Sequence, residues 1–161
     1  TCALPIYAPM FEVGGTVYVY FTYGMYHCIN AVTESEGVGN AVLIRAVEPL
    51  HGFAQMQRVR NAKKLILEPE IAAMPRLSRE RIQLGVQLTG GPGKLCQAFG
   101  ITLSENGMDF RTPEHLWISP ADAEWSLPTT EIVATPRIGI TKATELPWRF
   151  YKKNERYLSK P

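Results

Sequence analysis

Along residues 16–33 apolar and polar positions alternate with a period of two. Val17, Val19 and Phe21 interleave with Tyr18, Tyr20 and Thr22, the pattern of a half-buried strand. Tyr23-Gly24-Met25 interrupts the run, with Gly24 supplying the backbone freedom of a tight turn, and residues 26–33 read as the return strand. With those three residues as the loop, Thr22 faces Tyr26, Tyr20 faces Cys28 and Tyr18 faces Asn30, while Val19 pairs with Ile29 and Val17 with Ala31. A slip of one residue would exchange the two faces, so the pattern specifies the register strongly.

Residues 34–40 form a polar, glycine-rich loop. Residues 41–47 read as a third strand, apolar nearly throughout, with Arg45 embedded in it and Pro49 ending it. A charged residue in such a strand is usually either ion-paired or functional. Residues 52–64 read as a helix whose apolar side is Phe53, Met56 and Val59. Pro69 and Pro75 make residues 65–76 irregular. A second helix is predicted over 78–88, with Ser78 as its N-cap and Ile82, Val86 and Leu88 on its apolar side. A third, short helix runs over 92–99 and ends at Gly100. The remaining apolar segments, 117–118, 132–135, 138–141 and 148–151, are punctuated by five prolines and read as strand and loop. No internal repeat is present. The class these elements predict is α+β: a curved antiparallel sheet with a projecting hairpin and a few short peripheral helices.

Composition narrows the class. A chain of 161 residues that is 45% hydrophobic can bury the core of one domain. It has no apolar run of about 18 residues, so no spanning helix is expected. No basic region followed by an apolar one stands at the N-terminus, so no secretory signal is read there. Cys2, Cys28 and Cys96 are odd in number and lack ligand spacing, which fits a reducing compartment. His27, His51 and His115 are scattered, so no metal site is expected. Lys and Arg exceed Asp and Glu by only 17 to 15, so net charge says little about a polyanionic partner. Local clustering says more. Arg58, Arg60, Lys63 and Lys64 form one basic group, and Arg149, Lys152, Lys153, Arg156 and Lys160 another. Each is either a phosphate-attracting patch or an ordinary solvated face.

Two stretches carry candidate chemistry. The hairpin tip presents Tyr23 and Met25, and soluble proteins keep apolar groups off such tips unless something binds there. Either the tip folds back on its own core, or it is a wedge that enters a minor groove and parts base steps. Gly90-Gly-Pro-Gly-Lys94 opens the third helix. Leu95 follows the lysine, so this is not a nucleotide-binding P-loop. Gly91, Gly93 and Lys94 can still hold one phosphate at a helix N-terminus; the plainer reading is a helix start with proline at an early position.

The run GTVYVYFTYGMYHCIN over residues 15–30 resembles the central motif of the alkyladenine (3-methyladenine) DNA glycosylase family. The likeness continues in AVLIRAVEP (41–49), GGPGKLCQA (90–98), PRIGI (136–140) and LPWRFY (146–151), four further blocks in order at compatible spacing. The resemblance implies a monofunctional glycosylase that flips damaged purines out of double-stranded DNA. It implies hydrolytic excision of 3-methyladenine, 7-methylguanine, hypoxanthine or ethenoadenine, leaving an abasic site, with no cofactor. Tyr23 matches the intercalating tyrosine, with Met25 beside it. Tyr20 matches a wall of the base pocket, bordered by Tyr18 and Cys28, and Asn30 matches the residue that screens out guanine. Arg45 matches the arginine that positions the attacking water, and Ile138 the carbonyl that shares it. A monomer acting in the cytoplasm on the nucleoid, or in the nucleus of a eukaryote, is the corresponding expectation.

Residues 1–7 depart from this pattern. Thr-Cys-Ala-Leu-Pro-Ile is what a common sequencing-adapter end would encode, so a non-native leader is expected, followed by one glycosylase domain over 8–161. Family members carry an upstream Glu-Thr-Glu-Ala-Tyr motif whose first Glu is the general base. This chain does not contain that motif, so the resemblance implies a truncated copy without its base. The rival expectation is a non-catalytic module that binds damaged DNA with the same hairpin.

Overall fold

The computed structural model describes residues 7–62, 65–120, 128 and 131–158. Of the expected leader only Tyr7 falls among them, and Cys2, Lys63, Lys64 and Lys160 lie outside the described residues. The chain divides into two compact units. The first holds the chain through Ile118 together with Tyr157, and the second spans residues 119–156. Both contain antiparallel sheet and the first also contains short helices, the α+β class that the sequence predicts.

In the first unit β1 (Val17–Thr22) and β2 (Tyr26–Val32) pair in the predicted register, Tyr18 opposite Asn30, Tyr20 opposite Cys28 and Val19 opposite Ile29. The alternation decides it. Val17, Val19 and Ile29 are almost fully buried together with Leu95, Cys96, Ile101 and Phe110, and a slip would carry all of them to the other face. The third strand is shorter than expected. Only β3 (Ala41–Leu43) pairs, against Asn30, Ala31 and Val32. One further bond, from Ile44 N–H to the Ile29 carbonyl at 3.1 Å, ends the ladder, and Arg45 leaves the sheet as an exposed residue.

Among the described residues four α-helices follow: α1 (Phe53–Val59), α2 (Glu68–Ala73), α3 (Arg79–Thr89) and α4 (Pro92–Phe99). The helix expected over 52–64 stops at Val59, and Asn61 adopts a left-handed φ of 52°. Its buried polar residue is Gln57, whereas Val59 is exposed. The Gln57 amide explains this: it donates to the carbonyls of Phe53 and Ile66 and accepts from Ile66 N–H, pinning the returning chain. α2 corrects the expected irregular segment. Pro69 stands in its first turn, where a missing N–H costs no helical bond. Glu68 then accepts from the N–H groups of Gly52 and Ala54 at 3.0 and 2.9 Å, capping α1 from another helix.

Ser78 caps α3 as predicted, accepting from Arg81 N–H. α4 ends at Gly100, φ 68°, where Ile101 N–H returns to the Cys96 carbonyl at 2.8 Å and brings Ile101 into the core. A second cluster, Phe53, Met56, Ile71, Leu88 and Ala98, joins the helices. Arg81 binds it together, donating to the carbonyls of Leu50, Ile71 and Met74. In the second unit β4 (Ile132–Thr135) pairs with β5 (Arg149–Lys152). Residues 138–141, one of the apolar segments, contain no strand.

Residues 102–110 close the outer edge of β1. Glu105 is buried there in a capping box and accepts from Thr102 N–H at 2.7 Å and the Ser104 hydroxyl at 2.8 Å. Burial by itself would raise its pKa, but the hydrogen bonds from Thr102 and Ser104 outweigh it and hold the carboxyl below its ordinary 4.5. A depressed folded-state pKa contributes stability that is present above the unfolded-state value and is lost as pH falls through the folded value. Unfolding free energy should therefore decline as pH drops from about 5 towards 3. Glu105→Gln should cost about 1 kcal/mol at neutral pH and show a smaller acid-induced loss, the remainder coming from Glu48, which a bidentate pair with Arg76 also depresses. Urea unfolding at neutral and acid pH would check both.

Candidate functional site

The hairpin tip is built from backbone strain and exposure. Met25 N–H donates to the Thr22 carbonyl at 3.1 Å, closing a turn in which Tyr23 and Gly24 both have left-handed φ, 51° and 65°. Gly24 adopts this freely. Tyr23 does so at a cost of about 1 kcal/mol, and such residues cluster at functional sites. Tyr23 is 85% exposed and Met25 63%, so the tip does not fold back onto the core.

Below the tip, four predicted residues share one face. The rings of Tyr18 and Tyr20 lie 5.5 Å apart at 37°. Asn30 is buried, and its Nδ2 donates to the Tyr18 carbonyl at 3.0 Å and the Cys28 carbonyl at 3.5 Å, which fixes the amide against the strands. Burial, reinforced by the neighbouring Cys28, pushes the Tyr20 phenol up to about 12. Burial also raises the Cys28 thiol, opposed by its bond with Tyr20 and by the positive charge of Arg45. Arg45 is therefore close enough to act on this face, although it left the sheet. Ile138 belongs to the second unit.

The N-terminus of α4 has Gly91 as N-cap and Pro92 at its first position, with Lys94 exposed. Gly91 and Gly93 differ. At Gly91 an added Cβ would meet only the Lys94 Cδ, at 3.9 Å; at Gly93 it would meet Tyr26. Arg60 was legible only as one member of a basic cluster. Its guanidinium donates to Gln97 Oε1 at 2.8 Å and the Lys94 carbonyl at 3.4 Å, joining α1 to the first turns of α4. In the other cluster Arg149 is buried, bonded to Thr135 Oγ1 and set 4.7 Å from the centre of the Tyr151 ring, so its role is packing. Lys152 and Lys153 remain exposed. Among the described residues no His, Cys, Asp and Glu group has the makings of a metal site, and no helix is long and apolar enough to cross a membrane.

Comparison with known proteins adds an independent line. The model of the methylpurine-DNA glycosylase family matches residues 4–156. A Rhodopseudomonas palustris (strain ATCC BAA-98 / CGA009) protein, provisionally named 3-methyladenine DNA glycosylase, is 44% identical over 152 residues, 94% of this chain and 61% of the relative. An Alkaliphilus oremlandii protein of the same provisional name is 44% identical over 154 residues, 94% of this chain and 68% of the relative. One from Francisella tularensis subsp. tularensis (strain WY96-3418) is 39% identical over 151 residues, 94% and 67%. The chain thus spans less than two thirds of the length of the Rhodopseudomonas relative.

The electrostatics of the face make a prediction independent of any ligand. Thiolate is the reactive form of cysteine. Cys96, pushed up to about 12 chiefly by burial, should resist alkylation in the folded chain, while Cys28 labels slowly at about pH 8.5. Arg45→Ala should slow Cys28 further, because it removes a charge that favours the thiolate. Peptide mass spectrometry after timed iodoacetamide treatment would measure it; an unchanged Cys28 rate would remove Arg45 from this face.

Proposed function

Because the chain belongs to the methylpurine-DNA glycosylase family, we propose that it carries the wedge and base pocket of a DNA-repair glycosylase acting on alkylated or deaminated purines in double-stranded DNA. The observation that carries this reading is Tyr23. A tyrosine held in left-handed backbone and 85% exposed stands at the end of the hairpin that bears Tyr18, Tyr20, Cys28 and Asn30. Extruding a base costs a few kcal/mol of unstacking and unpairing. Tyr23, with Met25 beside it, fills the vacated space and slows the base's return.

The extruded purine stacks on Tyr20, in a pocket bordered by Tyr18 and Cys28. Alkylated purines are electron-poor, often cationic, and stack well on tyrosine faces. Asn30 excludes guanine by a clash with its exocyclic amine. Its tie to the Tyr18 and Cys28 carbonyls supports that role, since rejection by clash needs a group that does not swing aside. Gly91, Gly93 and Lys94 at the start of α4 take a backbone phosphate. Arg45 orients the attacking water. Hydrolysis also calls for a carboxylate base, and we assign none in this chain. The bacterial relatives support a cytoplasmic, nucleoid-associated place of action.

The chain should bind a duplex with a central abasic site more tightly than the undamaged duplex. Tyr23→Ser should weaken that binding by about 1–3 kcal/mol, the scale of a lost base–aromatic stack; titration by fluorescence anisotropy would read it, and unchanged affinity rejects the wedge. Release of hypoxanthine from a duplex, revealed by alkali-induced strand breaks, separates a glycosylase from a module that only binds damaged DNA. Asn30→Ser should relax discrimination against guanine, scored as the binding ratio of duplexes containing hypoxanthine or guanine at one position.

A further inference from the structure

Tyr26 opens β2, three residues after Tyr23. An ideal Cβ at Gly93 would lie 3.0 Å from both Cβ and Cγ of Tyr26 and 3.1 Å from its Cδ1. The tyrosine is thus seated directly on the backbone of the first turn of α4. Conformational freedom is not what glycine provides here. Gly93 lies within the helix and has no positive φ, and alanine is the better helix former at such a position. The approach of Tyr26 is the feature that alanine would disturb.

The seat itself is held from behind. Arg60, at the end of α1, donates to the Lys94 carbonyl and to Gln97. α4 runs beside β2, with Cys96 at the Ile29 backbone amide. Tyr26 is itself half exposed, with one side against Gly93, and beyond it the hairpin has little to lean on: Tyr23, Gly24 and Met25 are exposed, and a Cβ at Gly24 would meet nothing within 4 Å.

We propose that Tyr26, seated on Gly93, is a positioning residue that sets the angle at which the Tyr23 tip projects towards DNA. This rests on the wedge reading above and goes beyond it, because it gives α4 a second task besides phosphate contact. A tip fixed in advance loses less freedom on insertion than one that must be ordered by the duplex. Phosphate contacts carry no information about a lesion, whereas the wedge does. Disturbing the seat should therefore act on preference for damaged DNA. Removing a phosphate contact should instead lower affinity for every duplex together and flatten its salt dependence.

The test measures affinities of the chain for an abasic-site duplex and for the undamaged duplex, and takes their ratio. Gly93→Ala keeps the backbone N–H but pushes on Tyr26, and the ratio should fall about tenfold. Tyr26→Ala should lower it similarly, Tyr26→Phe should keep it, and Gly93→Ala added to Tyr26→Ala should cost nothing more, because the two act through one contact. An unchanged ratio in Gly93→Ala, including one in which both affinities drop together, overturns the proposal. Should circular dichroism find Gly93→Ala unfolded, Tyr26→Ala and Tyr26→Phe decide alone: a ratio retained by Ala, or lost by Phe, overturns it. A wild-type chain with no preference for the abasic duplex is the separate failure of the wedge reading itself.

Discussion

The backbone of one hairpin must find partners along both of its outer edges, and most of the first unit exists to supply them. A buried N–H or C=O left unpaired costs about 1–3 kcal/mol. On the β1 side, Val17 N–H donates to the Met108 carbonyl, Gly107 N–H to the Val17 carbonyl, and Val19 N–H to the Asn106 side chain at 2.8 Å. The buried Glu105 cap holds that segment in place. On the β2 side, β3 serves Asn30, Ala31 and Val32, and α4 lies beside the strand where β3 gives out.

That requirement places the candidate site. Pairing that buries Val17, Val19 and Ile29 on one face necessarily lines up Tyr18, Tyr20, Cys28 and Asn30 on the other. The residues assigned to base recognition therefore stand on paired strands anchored in the core, and precise recognition is best built on such rigid elements. The tip is the reverse case, an exposed turn whose tyrosine adopts a costly backbone conformation. The polar face and the strained tip are continuous along the two strands, and the contact of Tyr26 with Gly93 lies at their junction.

Besides the apolar face of α4, which packs under the hairpin, two side chains link the helices to it. Glu68 caps α1 from α2, and Arg60 carries that ordering from α1 to the start of α4. The nearly balanced charge of the chain leaves affinity for a polyanion to local presentation. Lys94 and Arg58 are presented to solvent, whereas Arg149 is spent on Thr135 and Tyr151. A count of basic residues could not distinguish them.

The sequence by itself determined the hairpin, its register and the set of residues on its polar face, while the exposure of the tip came from the tertiary structure. It also determined the capped start of α3 and both ends of α4. In each case the information is local: a period of two, a serine before a helical run, proline at the start and glycine at the end. Likeness to a family named the chemistry proposed for that face. Only the tertiary structure decided that the third strand stops at Leu43, because pairing length depends on what lies alongside. It decided that residues 68–73 are helical despite Pro69, because Glu68 is there to cap another helix. It also separated Gly91 from Gly93, two glycines equivalent as letters. One would meet only a lysine side chain at ordinary contact distance and the other a tyrosine 67 positions earlier in the chain, and a local pattern carries no record of a contact between segments so far apart.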